Sequence, residues 1–214
     1  MNDLDVAGNT IVVGYMKNPE RLPMVSVSRD NGNTWQDILL KKELGSTKSV
    51  YISPNAPNII YASGRNLYGR NEGKDVFGFV YKSTDGGISF KEVFENRKRE
   101  YVYAVNANPN NLSLVCCSSD NGILVSSNEG KTWNQAYDET TESTFVTSDG
   151  MIFGLCRKGV IISADEGNNW DFLWKSDRPL YQGKNMQYFH RIKVDEKQRK
   201  VYAGTKNGLL IIDY

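Results

Sequence analysis

Histidine is almost missing from this chain, with His190 the one copy in 214 residues. Cysteine is scarce and odd in number: Cys116, Cys117 and Cys156, two of them adjacent, each inside an apolar strand-like run. That pattern excludes a disulfide framework and reads as small buried hydrophobes. A thiol nucleophile would also need a histidine base, and His190 is the one available. Net charge is scarce as well. Twenty-six Lys and Arg against 25 Asp and Glu leave +1, which gives no general attraction to nucleic acid or anionic membrane. No nucleic-acid motif is present. No apolar run approaches the ~20 residues of a membrane span. The first five residues are acidic, with no apolar stretch of the kind a secretory leader needs, so no leader is expected within this chain. No helical period stands out. Strand-length runs punctuated by Gly, Asn and Asp point to an all-β chain.

What is present is a repeat. Ser28-Arg29-Asp30-Asn31-Gly32-Asn33-Thr34-Trp35 aligns with Ser83-Thr84-Asp85-Gly86-Gly87-Ile88-Ser89-Phe90. It also aligns with Ser126-Ser127-Asn128-Glu129-Gly130-Lys131-Thr132-Trp133 and with Ser163-Ala164-Asp165-Glu166-Gly167-Asn168-Asn169-Trp170. The serines lie 55, 43 and 37 residues apart, against the ~40–50 residues of a propeller blade. Each position has a physical task. An apolar strand runs into the Ser. The Asp, or Asn128, is expected to accept an N–H two residues ahead in an Asx turn. The Gly takes positive φ, and the aromatic packs back over the hairpin. The motif is a clip between the third and fourth strands of a blade.

The clips and the strands between them predict a single β-propeller domain over residues 1–214. Five four-stranded blades fall near 3–40, 48–94, 101–137, 143–174 and 188–214, the last one incomplete. In blade two the four strands are expected at 49–53, 59–63, 79–83 and 90–94, and in blade five three strands at 189–194, 201–205 and 209–213. An open edge in blade five invites pairing. Residues 1–5 wrapping round, a missing segment of a longer chain, or a strand-completing partner would each close it.

The four clips resemble the Asp-box, or bacterial neuraminidase repeat, of the sialidase and sortilin-like propeller superfamily, and the resemblance spans nearly the whole chain. That superfamily includes sialidases, two-propeller xyloglucanases, sortilin-type receptors, photosystem assembly factors and phage receptor-binding proteins. The resemblance implies a structural role for Ser28, Asp30, Gly32 and Trp35, for Ser83, Asp85, Gly87 and Phe90, for Ser126, Asn128, Gly130 and Trp133, and for Ser163, Asp165, Gly167 and Trp170. It leaves activity open, because the fold hosts unrelated functions. A sialidase-type glycoside hydrolase would bring an Arg-Ile-Pro motif, three arginines on the substrate carboxylate and a Tyr–Glu pair. Arg21-Leu22-Pro23 is similar to the first of these, but Glu20 replaces the family's aromatic, and the motif sits five residues before Ser28. A xyloglucanase-like cleft would need a second propeller. No catalytic residue is assigned. A structural adaptor such as a phage tail component is a further reading, and the location is open between cytoplasm, virion and, after removal of a leader, the outside of the cell.

Irregularity collects in the loops joining second to third strands and blade to blade, which share one face of a propeller. Those loops carry seventeen Lys and Arg against eleven acids. Arginine forks beside tyrosines suit anionic or sugar ligands. The candidates for holding a glycan, an acidic ligand or a protein partner are Arg65, Tyr68, Arg70, Arg178, Tyr181, Lys184, Tyr188, His190 and Arg191. No cofactor and no metal is expected. Asp30-Asn31-Gly32-Asn33 lacks the bidentate Glu of a calcium loop, and the clip accounts for it.

Overall fold

The computed structural model describes residues 1–66, 77–96, 101–177, 180, 191–205 and 208–214. Its elements are all strands. In chain order they are β1 Asp3–Ala7, β2 Thr10–Lys17, β3 Leu22–Ser28 and β4 Gln36–Leu39, then β5 Gly45–Ile52, β6 Ile60–Asn66, β7 Gly78–Ser83 and β8 Lys91–Asn96. There follow β9 Val102–Ala107, β10 Val115–Ser119, β11 Gly122–Ser126 and β12 Asn134–Tyr137, then β13 Thr141–Val146, β14 Ile152–Cys156, β15 Gly159–Ser163 and β16 Asp171–Lys175. The last three are β17 Arg191–Asp195, β18 Lys200–Thr205 and β19 Gly208–Asp213. They form four four-stranded sheets and one three-stranded sheet, each in simple sequence order. This is the β-propeller layout that the repeats predict, with blade five short of its fourth strand. Among the described residues no helix is long and apolar enough to cross a membrane.

The chain forms two compact units, Met1–Val105 and Asn106–Tyr214. In the first, Val12, Val25 and Val27 of blade one pack with Val50, Ile52, Ile60 and Phe79 of blade two. In the second, Cys116, Ile123, Ile152 and Ile161 fill the space between blades three and four. Phe153, Leu155 and Val160 fill that between blades four and five, with Ile192, Val201 and Ala203. All three cysteines are buried and free, and burial pushes the Cys116 thiol up to about 12, the opposite of an activated nucleophile.

Two expectations are corrected. Residues 1–5 do not serve blade five: Asp3–Ala7 is the first strand of blade one, in register with β2 from Asp3↔Gly14 to Ala7↔Thr10. Several strands also run past their expected ends. β5 starts at Gly45 and β6 continues to Asn66, because Gly45↔Asn66, Ser46↔Arg65 and Thr47↔Gly64 still pair.

The clips share one bonding scheme that differs from a simple Asx turn. The Ser28 hydroxyl donates to Asp30 Oδ1 at 2.8 Å and accepts the Gly32 N–H at 2.8 Å. Asp30 Oδ1 then accepts the Thr34 N–H, four residues on rather than two, at 2.8 Å, and Oδ2 accepts the Thr34 hydroxyl at 2.6 Å. The Trp35 indole N–H donates to the Gly32 carbonyl at 3.0 Å. The same bonds recur around Ser83 and Asp85, around Ser126 and Asn128, and around Ser163 and Asp165. The backbone turns through two successive left-handed residues, Asn31–Gly32, Gly86–Gly87, Glu129–Gly130 and Glu166–Gly167. The clip also fastens neighbouring blades. A Cβ on Gly87 would lie 2.7 Å from Val27 of blade one, and one on Gly167 would lie 3.1 Å from Val125 of blade three.

These bonds predict an acid limb. Donors from Thr34, side chain first and backbone next, and from Ser28 pull the Asp30 carboxyl down to about 2. Asp85 and Asp165 are held low for the same reason. A depressed folded value gives stability that is complete above the unfolded value of ~4 and is lost as pH falls through the folded one. The urea midpoint is therefore expected to drop between about pH 4 and pH 2. Asp30→Asn combined with Asp85→Asn is expected to flatten that limb while keeping the fold, since Asn128 already makes the clip with a neutral side chain. An unchanged limb would mean that other carboxylates set it.

Candidate functional site

Of the nine ligand candidates, the structure describes Arg65 and Arg191. Tyr68, Arg70, Arg178, Tyr181, Lys184, Tyr188 and His190 lie outside the described residues. Arg65 is a strand residue rather than a loop residue. It faces Ser46 on one side of β6 and Gly78 on the other. Its guanidinium lies 4.4 Å over the ring of Tyr101, a cation–π contact. Its Nε is buried without a hydrogen-bond partner. Two residues back on the same face of the strand, the Ser63 hydroxyl is also buried and unpartnered. A buried donor with no acceptor is costly in a finished core. At the end of a strand that leads into a long loop, it reads as a group held ready for a ligand.

Arg191 opens β17 opposite Gly204, in the second unit. Other cations of the basic loops already have acidic partners. Lys41 Nζ lies 2.8 Å from Glu92 and 2.7 Å from Glu95. Burial draws its pKa down, and the two carboxylates outweigh that and raise it. Lys158 pairs with Glu139, and Lys17 with Glu20 at 3.5 Å. Lys48 lies inside β5, at the bulge where the register shifts between Thr47 and Ser49. The positive excess read from the loops is thus partly neutralised.

The sialidase features fare as follows. Arg21 takes positive φ in the turn between β2 and β3, and its carbonyl accepts the Gly45 N–H at 2.7 Å, so that segment serves the backbone. Tyr81 donates to Glu92 Oε2 at 2.9 Å, a Tyr–Glu pair within reach. Burial first, then Glu92, pushes the Tyr81 hydroxyl far up, and Lys41 sits on the same carboxylate. A nucleophilic tyrosine needs the reverse.

Sequence reasoning missed an open cleft of about 810 Å³ in the second unit, at the end where first strands turn into second ones. It is lined by Ser148, Asp149, Asp195, Glu196, Arg199 and Tyr214, among others. Its carboxylates are committed to turns. Asp195 Oδ1 accepts the N–H groups of Lys197 and Gln198 at 3.0 Å each, and Glu196 accepts both the N–H and the hydroxyl of Ser148. Among the described residues no group of three His, Cys, Asp or Glu side chains is placed to hold a metal ion.

No family model and no curated relative matches the chain. Solved structures do. A GH74 enzyme from Niastella koreensis superposes with a TM-score of 0.67 at 13% identity, over 96% of this chain and 33% of the enzyme. The chain therefore spans about a third of that enzyme's length. YCF48 bound to D1 peptide matches with a TM-score of 0.52 at 12% identity, over 100% of this chain and 73% of that one. The nidogen/laminin complex matches with a TM-score of 0.62 at 8% identity, over 95% and 74%. At these identities the likeness concerns the fold.

Proposed function

We propose that this chain is a non-enzymatic binding propeller that takes an anionic glycan, an acidic ligand or a protein segment on the loop face next to Arg65. The observation that carries the reading is the Arg65 guanidinium, fixed 4.4 Å over Tyr101 with its Nε buried and unpartnered. Stacking fixes the fork before a ligand arrives, so little side-chain entropy is lost on binding. The clips, read as Asp boxes, serve as scaffold. Neighbours of the same fold include a structure with a bound peptide, a protein–protein complex and glycoside hydrolases, so both ligand classes are within the fold's range.

The test is a glycan array and an acidic-peptide array probed with wild type, Arg65→Ala and Arg65→Lys. Binding is expected to weaken at least tenfold in Arg65→Ala and to recover only in part with Lys, which lacks the planar fork. Selective binding indifferent to Arg65 would remove this site from the reading. The enzymatic alternative, a sialidase-type hydrolase, is checked in the same samples with a fluorogenic sialoside, and turnover above the buffer rate would favour it.

A second reading has its own observation. β19 is an unpaired edge among the described strands, and Leu209 and Ile211 along it are 64% and 53% exposed. On this reading blade five accepts a strand from a partner.

A further inference from the structure

Blades three and four contain a device that blade five repeats with one part missing. Their third strands open with a glycine at positive φ, Gly122 and Gly159. A Cβ there would fall 2.0 Å from the Tyr137 carbonyl oxygen and 2.1 Å from that of Trp174. The glycine exists because the fourth strand's backbone crosses directly over it. Opposite the next residue sits an aromatic, Ile123↔Tyr137 and Val160↔Trp174, and both ladders then bulge at the same step. Blade five has the glycine: Gly208, φ +119, paired to Thr205 as Gly122 is to Ser119. Around its would-be Cβ there is nothing within 4 Å. Ile123 and Val160 are fully buried, whereas Leu209 in the matching place is 64% exposed.

The chain does not turn into this slot in the way the other blades do. Counting from the glycine, Ile212 stands where Ser126 and Ser163 stand, and Tyr214 where Asn128 and Asp165 stand. The hydroxyl and carboxyl that make the clip are therefore missing. Tyr214 is instead drawn onto blade four, its ring edge-on to Phe153 at 4.8 Å and its carbonyl accepting Arg199 Nε at 2.7 Å.

Building on the open-edge reading above, we infer that β19 takes an extended segment of another protein, running antiparallel to it, with an aromatic side chain opposite Leu209 and its backbone over Gly208. The two internal occupants define the chemistry. Asn134-Gln135-Ala136-Tyr137 and Asp171-Phe172-Leu173-Trp174 share the order Asx, any residue, aliphatic, aromatic. A second copy of the chain fits less well, because β19 itself reads Gly-Leu-Leu-Ile-Ile-Asp and carries no aromatic to place there. Main-chain bonds give such strand addition its affinity, and the alternate side chains give it selectivity.

The probe is a fluorescein-labelled peptide of residues 170–176, titrated into the full chain and followed by anisotropy, with the Trp174→Ala peptide alongside. Saturable binding is expected, weakened at least tenfold by Trp174→Ala in the peptide. It is also expected to be weakened at least tenfold by Ile211→Lys in the protein, a surface change with an unaltered melting curve. Equal binding of both peptides, still blocked by Ile211→Lys, would overturn the aromatic-directed slot and leave the open edge standing. No binding of either peptide to a monomeric chain would overturn both. A dimer in sedimentation that Ile211→Lys dissolves, with no peptide uptake, would assign the edge to a second copy and overturn the inference.

Discussion

Gly122→Ala is expected to cost about 4–5 kcal/mol, the range reserved for changes the surroundings cannot absorb. The added Cβ would stand 2.0 Å from the Tyr137 carbonyl oxygen and 2.7 Å from its carbon. Both obstacles are backbone, so no rotamer change relieves them. β12 must leave the sheet, and with it goes the cover over Ile123, which is completely buried. Gly208→Ala is the control that isolates this cause. Its backbone is just as unusual, φ +119 against +122, yet nothing lies within 4 Å of the new atom. It should carry only the conformational cost, about 1–3 kcal/mol. Urea unfolding of the two variants beside wild type reads the difference. Equal losses would show that backbone conformation sets the cost and strand crossing does not. In the presence of a bound fourth strand, Gly208→Ala should become as harmful to binding as Gly122→Ala is to folding.

Phe153→Ala is expected to cost about 3–5 kcal/mol, the usual toll of emptying a buried aromatic site. The ring has no exposed surface and belongs to the cluster with Leu155, Val160, Leu180, Ile192, Val201 and Ala203. It is also the surface on which Tyr214 rests at 4.8 Å. Blade five has three strands and depends on blade four for its apolar face, so the loss should fall there first. Amide exchange is expected to accelerate at Ile192, Val201 and Ala203 well before it does in β10 or β11. Phe153→Leu, which keeps most of the volume, should cost under about 1.5 kcal/mol. Uniform acceleration across the second unit would show that blades three to five open as one body.

The blade repeat was readable because everything that makes a clip lies within eight residues. The Ser, the Asx, the Gly and the aromatic answer to local turn geometry, so their spacing alone locates the hairpin. Its internal wiring was less readable. The Ser hydroxyl turned out to be the acceptor for the Gly N–H, and the Asp reached four residues on, because two consecutive left-handed residues shorten the path between them. Glu129 and Glu166 in that conformation give no compositional hint of it. Strand ends were misplaced around Lys48 and Arg65, since an end is decided by which distant partner continues the ladder. The contact of Arg65 with Tyr101 joins residues 36 apart and has no local signature at all. The Gly208 slot was legible in principle. Gly-Ile-Leu-Val, Gly-Val-Ile-Ile and Gly-Leu-Leu-Ile at 122, 159 and 208 line up as a second repeat beside the clips. Its meaning needed the fourth strand seen passing overhead.

The indole bonds of the clips bear on how this protein can be watched. Of the four tryptophans, Trp35, Trp133 and Trp170 each donate their N–H to a clip glycine carbonyl, and Trp174 lies in the strand that follows one. Blade two carries Phe90 in that place and blade five has no counterpart. Intrinsic fluorescence is therefore a selective lamp, lighting the hairpin ends of blades one, three and four and leaving blades two and five dark. An emission curve that appears as a single clean transition would speak for three blades out of five. Following the other two calls for a tryptophan installed at position 90 and another near Leu209.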